Sequence, residues 1–161
     1  MRKYQAWLMG LIFMATAGLT PPGPVDGIPR FVKARIGSKV YSLELADTLA
    51  KRAKGLAQRD RLPQNSGMLF LFPFDVNYDF TMESMGFPLD FIWLKNDKVV
   101  DLYENAAAGT TDVISTTVIF NKVIELSAGE IAASEIRLND RISFETSAPE
   151  MTDQEGMDEE I

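Results

Sequence analysis

Two apolar runs, residues 68–72 and 89–94, frame a mixed segment that carries Asp75, Asn77, Asp79, Thr81, Glu83 and Ser84. Continuous apolar runs of that length, bounded by turn residues, read as buried strands. Upstream, residues 31–36 and 40–45 alternate apolar and polar about Gly37-Ser38, which predicts a β-hairpin. Asp47 or Thr48 is placed to cap a helix that spaces Leu49, Ala53 and Leu56 along one face and stops at Gly55. Residues 62–67 form a loop. Downstream, the Asn96-Asp97 turn joins 91–94 to 99–102 as a second hairpin. Residues 104–115, rich in Ala, Gly and Thr, read as a long loop of the kind that is often functional or mobile. A strand follows at 123–126. Ser127-Ala128-Gly129-Glu130 then matches a capping box opening a short helix to about Ser134. A connector at 136–140 leads to a last alternating strand at 141–145. No internal repeat interrupts this order, and the pattern predicts an α+β domain dominated by β structure with two short helices.

Composition narrows the chemistry. The 161 residues are 46% hydrophobic and 10% aromatic, enough for one packed core with terminal appendages. The formal charge of -7 is uneven. Setting aside Arg2, Lys3 and the tail carboxylates Glu150, Asp153, Glu155, Asp158, Glu159 and Glu160 leaves fourteen cations against seventeen anions, a net charge of -3. With no basic stripe, no nucleic-acid partner is expected, because such surfaces cluster cations to displace counterions. Cys and His are absent. That excludes disulfides, thiolate nucleophiles and a Ser-His-Asp triad, and removes the usual zinc ligands. Carboxylates, Lys, Tyr, Ser, Thr and backbone remain. A metal would have to be hard and oxygen-bound, yet the nearest approach to a calcium loop, Asp75-Val76-Asn77-Tyr78-Asp79, lacks the required Gly and terminal Glu. It reads as a polar turn, and no metal or cofactor is expected.

The ends predict an address. Arg2 and Lys3, an apolar run over 6–14 and the small residues Ala15-Thr16-Ala17 form a signal peptide over residues 1–17. The apolar run is about half of the ~20 residues a spanning helix needs, so no stable membrane span is expected after cleavage. Residues 18–29, with four prolines and three glycines, are an extended linker. Residues 30–146 form the single globular domain. Residues 147–161 form an acidic, disordered tail, either a solubilising end or a docking tail for a basic partner. The expected location is periplasmic or secreted.

The ordered motifs resemble the domain-of-unknown-function family 192, also called uncharacterised protein family 127. Glu44-Leu45-Ala46-Asp47-Thr48, Arg52 with Gly55-Leu56, and Leu62 followed by Gly67-Met68-Leu69-Phe70 and Phe72 are similar to its opening motifs. Phe80, Met82 and Pro88-Leu89-Asp90 come next, then Val123-Ile124-Glu125-Leu126 with Ala128-Gly129, then Asn139-Asp140-Arg141-Ile142. The resemblance spans about residues 30–145. It implies a compact, barrel-like antiparallel or mixed sheet with a few short helices, in a family whose members are commonly exported, and it implies no reaction. The chain departs from the usual family segment F-W-M-K-N-T-x-x-P-L-D at Thr81, Glu83, Ser84 and Met85. Lys replaced by Glu83 reverses a charge, which implies poor binding of any anionic ligand suited to the usual motif.

A polar and aromatic segment framed by strands is where a pocket is expected. The candidate ligand-binding residues are Tyr78, Asp79, Phe80, Met82, Glu83, Ser84 and Asp90. Of the aromatics, Phe72, Phe91 and Trp93 are expected in the core, and Tyr78, Phe80 and Phe87 at a pocket. If Asp79, Glu83 and Asp90 converged, repulsion would raise one pKa and create an acid/base pair. Alternatively Asp90, opening an apolar strand, is partly buried and hydrogen-bonded to backbone or Arg. Asp140 beside Arg141 reads as a turn and ion-pair element. Arg52, Lys54, Arg59 and Arg61 read as a solvated cationic face, or as a small anion site near the helix end. Two functions follow: an exported binding module for a small molecule or protein segment through residues 79–90, or a hydrolase or lyase with Asp90 or Glu83 as its catalytic carboxylate. A third is a structural domain that meets an envelope protein through the acidic tail.

Overall fold

The computed structural model describes residues 29–145. The expected signal peptide, the linker up to residue 28 and the acidic tail lie outside the described residues. The first hairpin forms as its alternation dictates, β1 (Phe31–Ile36) against β2 (Lys39–Ala46). Gly37 turns it with φ +55, a left-handed conformation in which a Cβ would also strike the Ser134 carbonyl. Thr48, not Asp47, caps α1 (Leu49–Lys54), its Oγ1 accepting from Lys51 N at 3.2 Å. The crossover through α1 makes the β2–β3 pairing parallel, the only parallel pair in an otherwise antiparallel sheet of the described residues.

Strand β3 (Ser66–Val76) runs past the expected end at 72, with a register break against β8 between Leu71 and Val76. Next come β4 (Phe80–Thr81), β5 (Leu89–Lys95) and β6 (Lys98–Ala106). Asn96 and Asp97 both have positive φ, the two-residue turn expected between β5 and β6. The expected loop over 104–115 is shorter than its composition suggests. Strand β6 continues to Ala106, and β7 (Val113–Ile114) pairs with β4 as a separate ribbon. After these come β8 (Phe120–Ser127), α2 (Glu130–Ser134) and β9 (Ser143–Glu145).

The main sheet has the order β6-β5-β8-β3-β2-β1-β9 and curls into a half-barrel. Its curl follows from the core. Ala34 and Ile36 of β1 share one buried cluster with Leu94 of β5 and Val99 of β6, from the far side of the sheet. Backbone bonds from Val99 N to Asp140 O and from Ile142 N to Asp97 O tie the segment before β9 to the β5–β6 end. The fold class expected from the sequence and from the family resemblance is the one observed. A second cluster, including Phe70, Phe91, Trp93 and Val123, lies on the other face of the same strands.

The capping box does not form. Gly129 is the N-cap of α2, without a side-chain cap. Glu130 instead accepts from Lys39 Nζ at 2.9 Å and from the Tyr41 hydroxyl. Local spacing proposed a reciprocal cap, and a long-range ion pair and hydroxyl took the carboxylate.

Candidate functional site

Strand parity sorts the central carboxylates. On β8, Ile124 and Leu126 face the enclosed core, so Val123 and Glu125 face the opposite side. Glu125 lies opposite Met68 of β3 and Phe91 of β5 and is 5% exposed. It lines a cavity of about 570 Å³. Among the described residues its carboxyl has no ion-pair or hydrogen-bond partner, and burial alone pushes its pKa up to about 8. A carboxyl acid that keeps its proton near neutral pH, aimed into a cavity, is what the geometry puts at the floor.

The walls come from three elements. The face predicted by the spacing is divided: Leu49 of α1 is 78% exposed at the rim, while Leu56, just past the helix, is buried in the core. Arg52 on the same helix also lines the cavity. It is held there, with Nη1 donating to the carbonyls of Asp47 and Leu71 at 3.0 and 2.8 Å and its guanidinium 5.3 Å from the Phe72 ring centre. Strand β3 contributes Phe70 and Phe72. The 78–85 segment forms the remaining wall, with Phe80 edge-on to Phe70 at 5.8 Å between ring centres.

Of the residues singled out in the sequence, Tyr78, Asp79, Phe80 and Ser84 line this cavity. Met82 is fully buried in the core beneath it, and Glu83 is exposed and does not line it, its N–H bonded to Thr81 Oγ1. Asp90 is fully buried on the opposite face of the sheet, beside Leu126 in register. Its Oδ1 accepts from Asn105 N and its Oδ2 from Ile131 N, each at 2.8 Å. It thus satisfies an amide at the start of α2 that the capping box leaves open. Asp79, Glu83 and Asp90 therefore do not converge, and no shared-proton pair is built from them.

Phe91 and Trp93 are core, as expected. Phe72 is half-buried and forms cavity wall, whereas Phe87 packs against the core and stays out of the cavity. Asp75 pairs with Lys95, and the Asn77 amide donates to the carbonyls of Thr116 and Val118, so this turn is spent on structure. Asp140 Oδ2 accepts from Arg137 N at 2.9 Å as a turn element, but Arg141 is not its ion-pair partner. The basic residues near α1 disperse: Arg59 pairs with Glu44 at 2.8 Å and Lys51 with Asp47.

Glu125 is the residue the sequence reading passed over as a site. Its signal was present: one carboxylate inside the apolar run 123–126, a position that costs free energy unless something uses it.

A family model for DUF192, described as Uncharacterized ACR, matches residues 32–144. The chain belongs to this family. Two solved structures resemble it. One is a Sinorhizobium meliloti 1021 protein described as a candidate transcription regulator, at 25% identity and TM-score 0.67, over 76% of this chain and 98% of that one. The other is a protein of unknown function from Novosphingobium aromaticivorans DSM 12444, at 29% identity and TM-score 0.65, over 75% and 89% of the two chains. No curated protein matches the chain. Of the four positions where this DUF192 chain departs from the segment given above, Thr81, Ser84 and Met85 line the cavity and Glu83 faces solvent. The departures thus reshape a wall of the cavity, and the reversed charge lies outside it.

Proposed function

We propose that this DUF192 domain is a binding module for a small, partly apolar molecule that enters the cavity between α1, β3 and the 78–85 segment. The observation that carries the reading is the cavity of about 570 Å³ with Glu125 unpartnered at its floor. Its size suits a small ligand, and its make-up, mostly apolar with a few polar groups, is that of ligand pockets. The apolar face of α1 supports the same reading, since a helix face left open at a rim gains most from a ligand that covers it. The test is a fragment screen by amide NMR. Fragments should perturb the amides of Arg52, Ala53, Tyr78, Thr81 and Glu125, and Ala53→Trp should abolish the perturbations without unfolding the domain. A broad screen that leaves those amides unmoved overturns the reading.

A second reading, a hydrolase or lyase, is favoured by the same carboxyl, because an acid with a pKa near 8 suits proton transfer at neutral pH. Glu125 replaces Asp90 and Glu83 in that role, since neither of those lines the cavity. Turnover of any substrate in a panel, with a pH profile removed by Glu125→Gln, is its test. The address proposed for either function is the periplasm or the exterior, on the pattern of Arg2, Lys3, the apolar run and Ala15-Thr16-Ala17. Protein that stays in the cytoplasmic fraction with residues 1–17 still attached would count against that address.

A further inference from the structure

A carboxyl without a partner in a cavity walled by rings is a specific chemical demand. A neutral apolar ligand would cover the walls and leave Glu125 unsatisfied, at a cost. An anion would face a buried carboxyl that can offer at most its proton. A cation meets both features, because ring faces attract positive charge and the carboxylate pairs with it. The wall already displays that attraction, in the Arg52 guanidinium over Phe72. Arg52 itself is committed to two backbone carbonyls, so it does not swing down to Glu125.

We propose that the cavity is a site for a small organic ammonium ion, its cationic head between the Glu125 carboxylate and the Phe70, Tyr78 and Phe80 rings, its apolar body against Ala53 of α1 and Leu56 just past that helix. This rests on the reading of the cavity as a ligand site. Binding takes the proton off Glu125, so cation affinity is linked to pH. The other charged groups around the cavity are Arg52 and Lys54 on α1 and Asp79 on the turn before β4, with the Tyr78 phenol beside it. The flanking strands place Met68 and Phe91 next to Glu125 and add no charge. Lys54 and Asp79 are exposed at the rim, where solvent screens them.

The experiment is calorimetric titration of the full chain with choline and with its neutral isostere 3,3-dimethylbutan-1-ol, from pH 6 to 9. Choline should bind at least about tenfold more tightly than the isostere at pH 8. Its affinity should rise by about tenfold per pH unit below pH 7.5 and level off above about 8, while the isostere's stays flat. Near pH 7, close to one proton should be released, read from buffers of different ionisation heat. Glu125→Gln should remove choline's advantage over the isostere and its pH dependence, while an amide spectrum unchanged away from residue 125 reports an intact domain. Choline no tighter than its isostere, or choline affinity unchanged in Glu125→Gln, overturns the ammonium assignment and leaves the cavity reading standing. If neither probe binds and the fragment screen is also empty, both fall; if the screen finds only uncharged ligands in the cavity, only the ammonium assignment falls.

Discussion

Asp90 and Glu125 sit on neighbouring central strands, both buried, on opposite faces of one sheet. Asp90 collects two backbone N–H groups from β6 and α2, while Glu125 collects none. Burial is common to both, so burial does not separate one carboxylate from the other. Satisfaction does. A carboxylate whose lone pairs are taken by amides holds elements together, and one left open toward a cavity is held there at a cost in stability.

The sharpest way to break this comparison is pH. Glu125 keeps its proton to about pH 8 when folded, against 4.5 for an ordinary Glu. Its contribution therefore favours the folded state most below 4.5 and declines as pH rises toward 8, by up to about 5 kcal/mol, because the unfolded chain releases that proton first. Urea unfolding from pH 4.5 to 8.5 should show this decline in the wild type and its loss in Glu125→Gln. Equal slopes in the two proteins would mean that Glu125 is not desolvated as described.

Removing the Asp90 carboxylate should instead cost stability directly, through the amides it satisfies. Asp90→Ala strands the Asn105 and Ile131 amides in the core and should cost about 3–5 kcal/mol at pH 7. Asp90→Asn, which keeps one acceptor, should cost less. A denaturation midpoint for Asp90→Ala within error of the wild type would erase the distinction between the two carboxylates.

The smallest effect tests the satisfied side again. Tyr41 donates to Glu130, and that hydrogen bond is the largest cause holding the Glu130 pKa below 4.5. A depressed carboxylate pKa stabilises above the unfolded value and loses its effect as pH falls through the folded one. Tyr41→Phe should cost about 1 kcal/mol at pH 7 and less at pH 3, by thermal melting. A cost that grows toward pH 3 would contradict the assigned partner.

What sequence alone determined was local. Alternation about Gly37-Ser38 and the Asn96-Asp97 turn specified both hairpins, because period-two patterning and turn chemistry act over a few residues. Thr48 and Gly55 bounded α1 for the same reason. Tyr78, Asp79, Phe80 and Ser84 were legible as cavity residues because a polar and aromatic segment framed by strands has few other places to go. Tertiary structure decided the rest. Asp90 and Glu83 were separated from that segment by strand parity and by a turn to solvent, neither of which spacing reveals. Ser127 and Glu130 lost their reciprocal cap to Asp90, Lys39 and Tyr41, all distant in the chain. Glu125 became the floor of a cavity only because α1 and the 78–85 segment cover its face of the sheet without filling it. Which face of a strand is packed and which is left hollow depends on what long-range folding lays over it, and that is not written in the strand's own residues.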